Sequence, residues 1–230
     1  MGFFKTDPHH EGDDTVSILL HFQNAILKLI AKGAGLAPTC TTLCAEVERI
    51  LPEVICSVLT VDLAGMLHPL AGPSLPETYS QALDGMSVGP LAGSCGTAAY
   101  LKTDISVVDI ETDARWTQFK HLALPHGLRA CWSSPICDAD GRAIATFAFY
   151  YPSARGPTAF EREVVANCVY LIQIAIERHE RVLEHQRRAF TDALTGCPNR
   201  AVIMSHFPNS KALRSAVGHC SSLISIISRS

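Results

Sequence analysis

Apolar residues along this chain change period several times, and each change marks an element. From Val16 onward, Val16, Leu19, Leu20, Phe22, Ile26, Leu27, Leu29 and Ile30 recur at helical spacing, which predicts an amphipathic helix. Asp14 or Thr15 supplies its N-cap, and Gly33 and Gly35 lie beyond its end. A second helix is predicted over residues 39–51 and stopped by Pro52, which lacks an N–H and disfavours a helical residue ahead of it. Residues 54–62 and 66–71 are rich in Val, Ile and Leu around a turn at Ala64-Gly65, the pattern of a hairpin.

Residues 85–93 read as a loop and residues 95–101 as a short helix entered through Gly93-Ser94, followed by a strand at 105–110. Asp113 caps a predicted helix carrying Trp116, Phe119, Leu122 and Ala123, which Gly127 ends. Strands at 130–137 and 143–151 follow, joined by Asp138-Ala139-Asp140-Gly141, where Asp140-Gly141 is the turn signal. From Thr158 the pattern is helical for about 30 residues with no Gly or Pro until Gly196, longer than an ordinary globular helix. Antiparallel strands with flanking helices and a long C-terminal helix make an α+β domain. Residues 1–14 are polar, show little periodicity and read as a flexible tail.

Composition narrows the class without naming a chemistry. Of 230 residues, 47% are apolar and 18% charged, enough to bury a core, so the chain is globular. The net charge of −3 leaves no footprint for nucleic acid. Its densest basic group, Arg178, Arg181, Arg187 and Arg188, is interleaved with Glu177, Glu180 and Glu184, as on a solvated helix face. No segment reaches the ~18 consecutive apolar residues of a membrane helix. The N-terminus carries Asp7, Glu11, Asp13 and Asp14 rather than an apolar signal region, so the expectation is a cytoplasmic protein without membrane contact. Met1-Gly2-Phe3-Phe4-Lys5-Thr6 fits the loose myristoylation pattern, which has meaning only beside the transferase. The nine cysteines are scattered and odd in number, which reads as reduced thiols. Cys40 and Cys44 have helical i,i+4 spacing, but no His or Cys pair with ligand spacing accompanies them. They read as small core residues rather than a metal site.

The most specific signal is a set of motifs in order. They run from Gly89-Pro90-Leu91-Ala92-Gly93-Ser94-Cys95-Gly96-Thr97-Ala98-Ala99 through Val108-Asp109-Ile110 and Trp116 to Gly127-Leu128-Arg129-Ala130-Cys131-Trp132-Ser133. Pro135-Ile136, Gly141 and Thr146-Phe147-Ala148-Phe149-Tyr150-Tyr151 complete the series. Over about residues 36–180 this resembles a GAF domain of the kind found ahead of bacterial cyclic-di-GMP cyclase and phosphodiesterase domains. A second resemblance follows. Asp192-Ala193-Leu194-Thr195-Gly196-Cys197-Pro198-Asn199-Arg200 is similar to the D-x-L-T-G-L-P-N-R signature that opens a GGDEF domain, with Cys197 in place of Leu. The resemblance implies roles for Asp192 and Arg200 in a turn at the domain entrance, for Asn199 near a nucleotide, and signature positions at Leu194, Thr195 and Pro198. It also requires metal-binding carboxylates, and after Arg200 the sequence has no Asp or Glu. Phosphoryl transfer needs carboxylates to hold Mg²⁺, so the expectation is an incomplete GGDEF start, no catalytic residue and no cyclic-di-GMP synthesis. The expected organisation is a GAF domain with its N-terminal helix over 15–180, a helical linker over 181–190 and a truncated GGDEF start over 191–230.

GAF domains bind unlike ligands on one fold, so the resemblance fixes neither ligand nor cofactor. It implies a pocket between the sheet and the segments 85–102 and 113–126, placing Cys95, Thr97, Trp116, His121, Arg129 and Trp132 as candidate small-ligand contacts. All but Thr97 have a second reading. The two tryptophans serve as packing, His121 as a solvated side chain, and Arg129 as the partner of Asp109 or Asp113. Cys95 is either a thiol activated at a helix N-terminus or a small side chain in a tight place. Val165, Val169, Ile172, Ile176, His179, Leu183 and Phe190 form a helical stripe, from which a parallel homodimer through residues 160–190 is expected. The expected function is a regulatory sensor of a small ligand or of redox state that signals to a GGDEF output. Two other readings stand beside it: an enzyme like the free methionine sulfoxide reductases, which resemble this Cys95-Gly96 turn, and a ligand-free dimerisation module.

Overall fold

The computed structural model describes residues 8–190, so the GGDEF-like signature from Asp192 to Arg200 lies outside the described residues. The chain divides into two compact units, residues 1–177 and 178–230. The first contains the sheet and both cores. In the second, the described residues 178–190 are helical.

Helix α1 runs over Pro8–Ala31, beginning within the stretch read as a tail. Its buried positions Leu19, Phe22, Ile26 and Ile30 keep the helical step. Helix α2, Leu36–Ile50, starts earlier than the apolar pattern suggested, because Pro38 sits in its first turn, where a missing N–H costs nothing. Strands β1 (Ile55–Val61) and β2 (Met66–Ala71) form the expected hairpin. The segment after it holds two elements that the sequence did not reveal, helix α3 (Glu77–Leu83) and the two-residue strand β3 (Met86–Ser87). Helix α4 spans Gly93–Leu101, and strand β4 is only Ile105–Val107. The helix predicted after Asp113 is broken into a 3-10 turn at Ala114–Trp116, a short helix α5 at Lys120–Ala123 and a second 3-10 turn at Leu124–His126. Asp113 does cap it, accepting from the Arg115 amide at 2.8 Å. Strands β5 (Ala130–Cys137) and β6 (Ala143–Tyr151) and helix α6 (Ala159–Phe190) complete the order.

All six strands join one antiparallel sheet in the order β3-β2-β1-β6-β5-β4. Strand β6 is central and covered on both faces, so every one of its residues is buried and its sequence is a continuous apolar run rather than an alternation. Two cores follow. One lies under α1, α2 and the first half of α6, where Phe22, Ile26, Leu43, Phe147, Phe149 and Ile172 meet. The other lies under α3, α4 and α5, where Leu67, Tyr79, Cys95, Trp116, Cys131 and Tyr150 meet.

Because side chains alternate along a strand, β5 sends Cys131 to the α4 core, where Ala148 and Tyr150 of β6 meet it, while Ala130, Trp132 and Ile136 go to the helical core. That alternation decides the composition of the site. No described helix is long and apolar enough to cross a membrane.

Candidate functional site

Two glycines let α4 lie close to its neighbours. Gly93 opens the helix at φ +62°, a conformation that side chains rarely adopt, with the Trp116 ring 3.7 Å from where a Cβ would stand. A Cβ on Gly96 would meet the Ala92 Cβ at 2.6 Å, so only glycine fits without a backbone shift. Ser94 then ties three elements together. Its hydroxyl accepts from Trp116 Nε1 at 3.1 Å and donates to the Cys131 carbonyl at 3.2 Å.

This places Cys95, in the first turn of α4, directly over the sheet. Cys95 Sγ lies 3.9 Å from the Tyr150 hydroxyl, and Tyr150 is paired across the sheet with Cys131. The hydroxyls of Ser133 and Thr146 stand beside the same thiol and close no ordinary hydrogen bond of their own. Tyr79 closes the side of the cluster, its ring edge-on to Tyr150 at 5.8 Å. The enclosed cavity is about 20 Å³, lined by Tyr79, Ser94, Cys95, Trp116, Phe119 and Tyr150 among others, which is room for a single water.

The electrostatics of the pair are unequal. A hydrogen bond from the Cys131 thiol, joined by Ser133, Tyr150 and Thr146, brings the Cys95 thiol down to about 7 against the opposing effect of burial. Burial, together with the hydrogen bond it gives to Cys95, pushes Cys131 well up. One cysteine is thus set to be the thiolate and the other to donate to it, the asymmetry a nucleophilic thiol requires. Three other core thiols are shifted the other way from Cys95: burial pushes Cys40 up to about 12 and raises Cys56 and Cys168. Cys40 and Cys44, fully buried on α2, pack as small core residues.

Of the residues named from sequence, Cys95 and Trp116 come together at this cavity. Thr97 is buried one turn further on and donates to the Pro90 carbonyl at 3.4 Å, fastening the preceding loop. The other three lie elsewhere. His121 is exposed on α5. Arg129 is paired with Glu111 at 3.0 Å and Asp109 at 3.8 Å, while Asp113 pairs with Arg115. Trp132 is buried on the opposite face of the sheet against Phe149, because its neighbour Cys131 takes the α4 face. Sequence reasoning missed Tyr150, Tyr79, Ser133 and Thr146. For the strand residues a usable signal existed: once Cys131 is assigned to the Cys95 face, period two carries Ser133 with it.

Comparison with known proteins agrees with this fold. Residues 35–176 match the family model described as GAF domain. The chain is 34% identical over 160 residues to the methyl sulfide methyltransferase-associated sensor of Methanosarcina acetivorans, covering 69% of this chain and 16% of that protein. It therefore spans about a sixth of the length of that curated relative. Among solved structures, the free methionine-R-sulfoxide reductase of Neisseria meningitidis, in complex with its substrate, superposes with a TM-score of 0.60. Identity is 13%, over 79% of this chain and 98% of that one. The GAF domain of the Acinetobacter phosphoenolpyruvate-protein phosphotransferase superposes with a TM-score of 0.56 at 11% identity, over 72% and 97%. At such identities these likenesses show the fold alone.

Proposed function

Because the chain belongs to the GAF domain family, we propose that it is a sensory domain whose event takes place at Cys95, and that the event is oxidation. The observation that carries this reading is the Cys95 and Cys131 cluster, with one thiol lowered to about 7 and the other donating to it. The cavity has room for a water-sized molecule, which suits a small hydroperoxide better than a large oxidant. The Cys95 thiolate attacks the peroxide O–O bond and becomes a sulfenic acid with release of water or alcohol. The Cys131 sulfur then displaces the sulfenic oxygen, which leaves as a second water. Two thiols and one peroxide give one disulfide and those two small products.

The signal leaves through α6, which begins beside the helical core and continues to Phe190. The GGDEF-like signature follows that helix in the sequence, so the reading places the output there, in a homodimer joined through the far part of α6 about Val182 and Leu183, because Val165, Ile172 and Ile176 of the expected 160–190 seam are buried within the fold. In this reading the chain itself is a regulator and not an enzyme. A small ligand entering the same cavity is the second reading, favoured by the polar groups of Ser94, Cys95 and Tyr150 among its lining residues.

Stoichiometric hydrogen peroxide followed by peptide mapping tests the proposal. The expected product is a Cys95–Cys131 disulfide, absent in Cys95→Ser and Cys131→Ser. A protein in which those two cysteines stay reduced while others oxidise would overturn it. Turnover of free methionine sulfoxide by the reduced protein would instead favour the enzyme reading.

A further inference from the structure

A second cavity lies on the other face of the sheet, between β5 and the start of α6, with a volume of about 290 Å³. That is close to the lower end of small-molecule sites, and far larger than the space beside Cys95. Its apolar wall comes from Pro135, Val165, Ala166 and Val169, and its polar groups are Asp104, Trp132, Ser134 and Arg162.

These polar groups share an unusual property. Trp132 and Ser134 are two residues apart on β5, so they project from the same face. Both are buried, and neither Trp132 Nε1 nor Ser134 Oγ has a hydrogen-bond partner, although buried polar groups are normally paired. The Arg162 guanidinium stands 5.5 Å from the Trp132 ring centroid. Among the described residues no carboxylate pairs with Arg162 and no cation pairs with Asp104. An apolar cleft is thus bordered by one exposed cation and one exposed anion, neither paired with an opposite charge among the described residues, with a buried donor and a buried hydroxyl on its floor.

We propose that this cleft binds a free α-amino acid with an apolar side chain. A carboxylate on Arg162, Ser134 and the Trp132 indole N–H, an ammonium on Asp104, and a hydrocarbon or thioether side chain against Pro135, Val165 and Val169 give each of these groups a partner. A hydrocarbon leaves both charges unanswered, and a dicarboxylate meets Asp104 with like charge. Binding draws together α6, which holds Arg162, and the entry to β4, where Asp104 immediately precedes the strand. A ligand that prefers one arrangement of these two elements shifts the population toward it. The cleft is separate from the Cys95 cluster, on the opposite face, so this inference stands independently of the thiol reading.

The test is calorimetric titration of the whole chain with L-leucine, L-methionine and L-phenylalanine, beside isovalerate and isopentylamine as half-ligands. At least one amino acid is expected to bind saturably, with isovalerate and the amine each weaker by about ten-fold or more. Arg162→Gln and Asp104→Asn, both at exposed side chains, should each cost about ten-fold while melting like wild type. Ala166→Phe should fill the cleft and abolish binding. Absence of saturable binding by all three amino acids to about 10 mM, equal binding of isovalerate, or affinity unchanged in Arg162→Gln and Ala166→Phe would each overturn the proposal.

Discussion

Arg155 and Glu161 face each other through two parallel hydrogen bonds, Nη1 to Oε2 at 2.9 Å and Nη2 to Oε1 at 2.8 Å. The same carboxylate accepts from the Thr158 amide at 2.7 Å, and the Glu161 amide donates to Thr158 Oγ1 at 3.2 Å. This reciprocal capping box fixes where α6 begins. Arg155 in turn lies over the Tyr151 ring at 3.9 Å, so the last residue of β6 and the first turn of α6 are held as one unit. The glutamate side chain is only 4% exposed, and its removal leaves a half-buried guanidinium behind.

Glu161→Gln should therefore destabilise the fold by about 1–3 kcal/mol, since it breaks a charge-assisted pair and one cap acceptor. Burial pushes the Glu161 carboxyl up, but the bonds from Arg155 and Thr158 outweigh it and hold the pKa below the ordinary 4.5. A depressed folded pKa means that the contribution is complete above about 4.5 and is lost as pH falls through the lower, folded value. Urea unfolding across that range should show wild type losing stability in acid while Glu161→Gln changes less. Parallel curves for the two proteins would contradict the assignment.

The pH dependence of Cys95 gives a second check. Its oxidation rate with hydrogen peroxide should rise through about pH 7, the value to which its donors bring it. Cys131→Ala removes the first of those donors, so the midpoint should move toward the ordinary 9.0 while the fold survives a small, buried substitution. An unchanged midpoint would mean that Cys131 does not activate its neighbour.

How far the sequence reaches can be judged from particular residues. The two hairpins, β6 and the long α6 follow from period and turn chemistry, and Asp138 at the second turn indeed accepts from the amides of Asp140 and Arg142. Helix α3 was missed because it is short, with only Tyr79 and Leu83 buried, too few positions for a period to emerge. The helix after Asp113 breaks up because Trp116 and Ala123 each bury toward the α4 core and Pro125 interrupts the run. At the site, the pocket implied by the GAF resemblance groups Trp132 with Cys95. A strand separates neighbours to opposite faces, and that single rule moves Trp132 to the helical core and brings Cys131 in. Arg129 is occupied by Asp109 and Glu111, a choice among acidic neighbours that only loop geometry determines.

His68 on β2 is held between two carboxylates, with Nδ1 2.7 Å from Asp84 and Nε2 3.1 Å from Asp62. The bonds to Asp62 and then Asp84 raise its pKa above 6.5. Stability from a raised histidine is complete below the unfolded value and is lost as pH rises through the folded one. Asp62 also accepts from the turn amides of Ala64 and Met66, so Asp84→Asn is the cleaner variant. It should lower the His68 pKa read by NMR, and destabilise the protein at about pH 6 but not at about pH 9. Equal destabilisation at both would show that the contact is not charge-dependent.

The dimer proposal now depends on the far half of α6. Val165, Ile172 and Ile176, counted from sequence as seam positions, are at most 5% exposed within the fold of the first unit. Val169 packs partly against the same core. Leu183 and Val182 are different, 37% and 38% exposed, and Tyr170 is more exposed still. Ile176→Asp would bury a charge in the helical core and should unfold the domain rather than split a dimer. Leu183→Asp changes an exposed position, so the fold should melt within about 0.5 kcal/mol of wild type. In a parallel pair it sets like charges against each other across the two-fold axis. Sedimentation should then find wild type dimeric and Leu183→Asp monomeric, both with native near-ultraviolet dichroism. A wild-type monomer at the same concentration would remove the dimer from the proposed mechanism and leave α6 to act as a single helix.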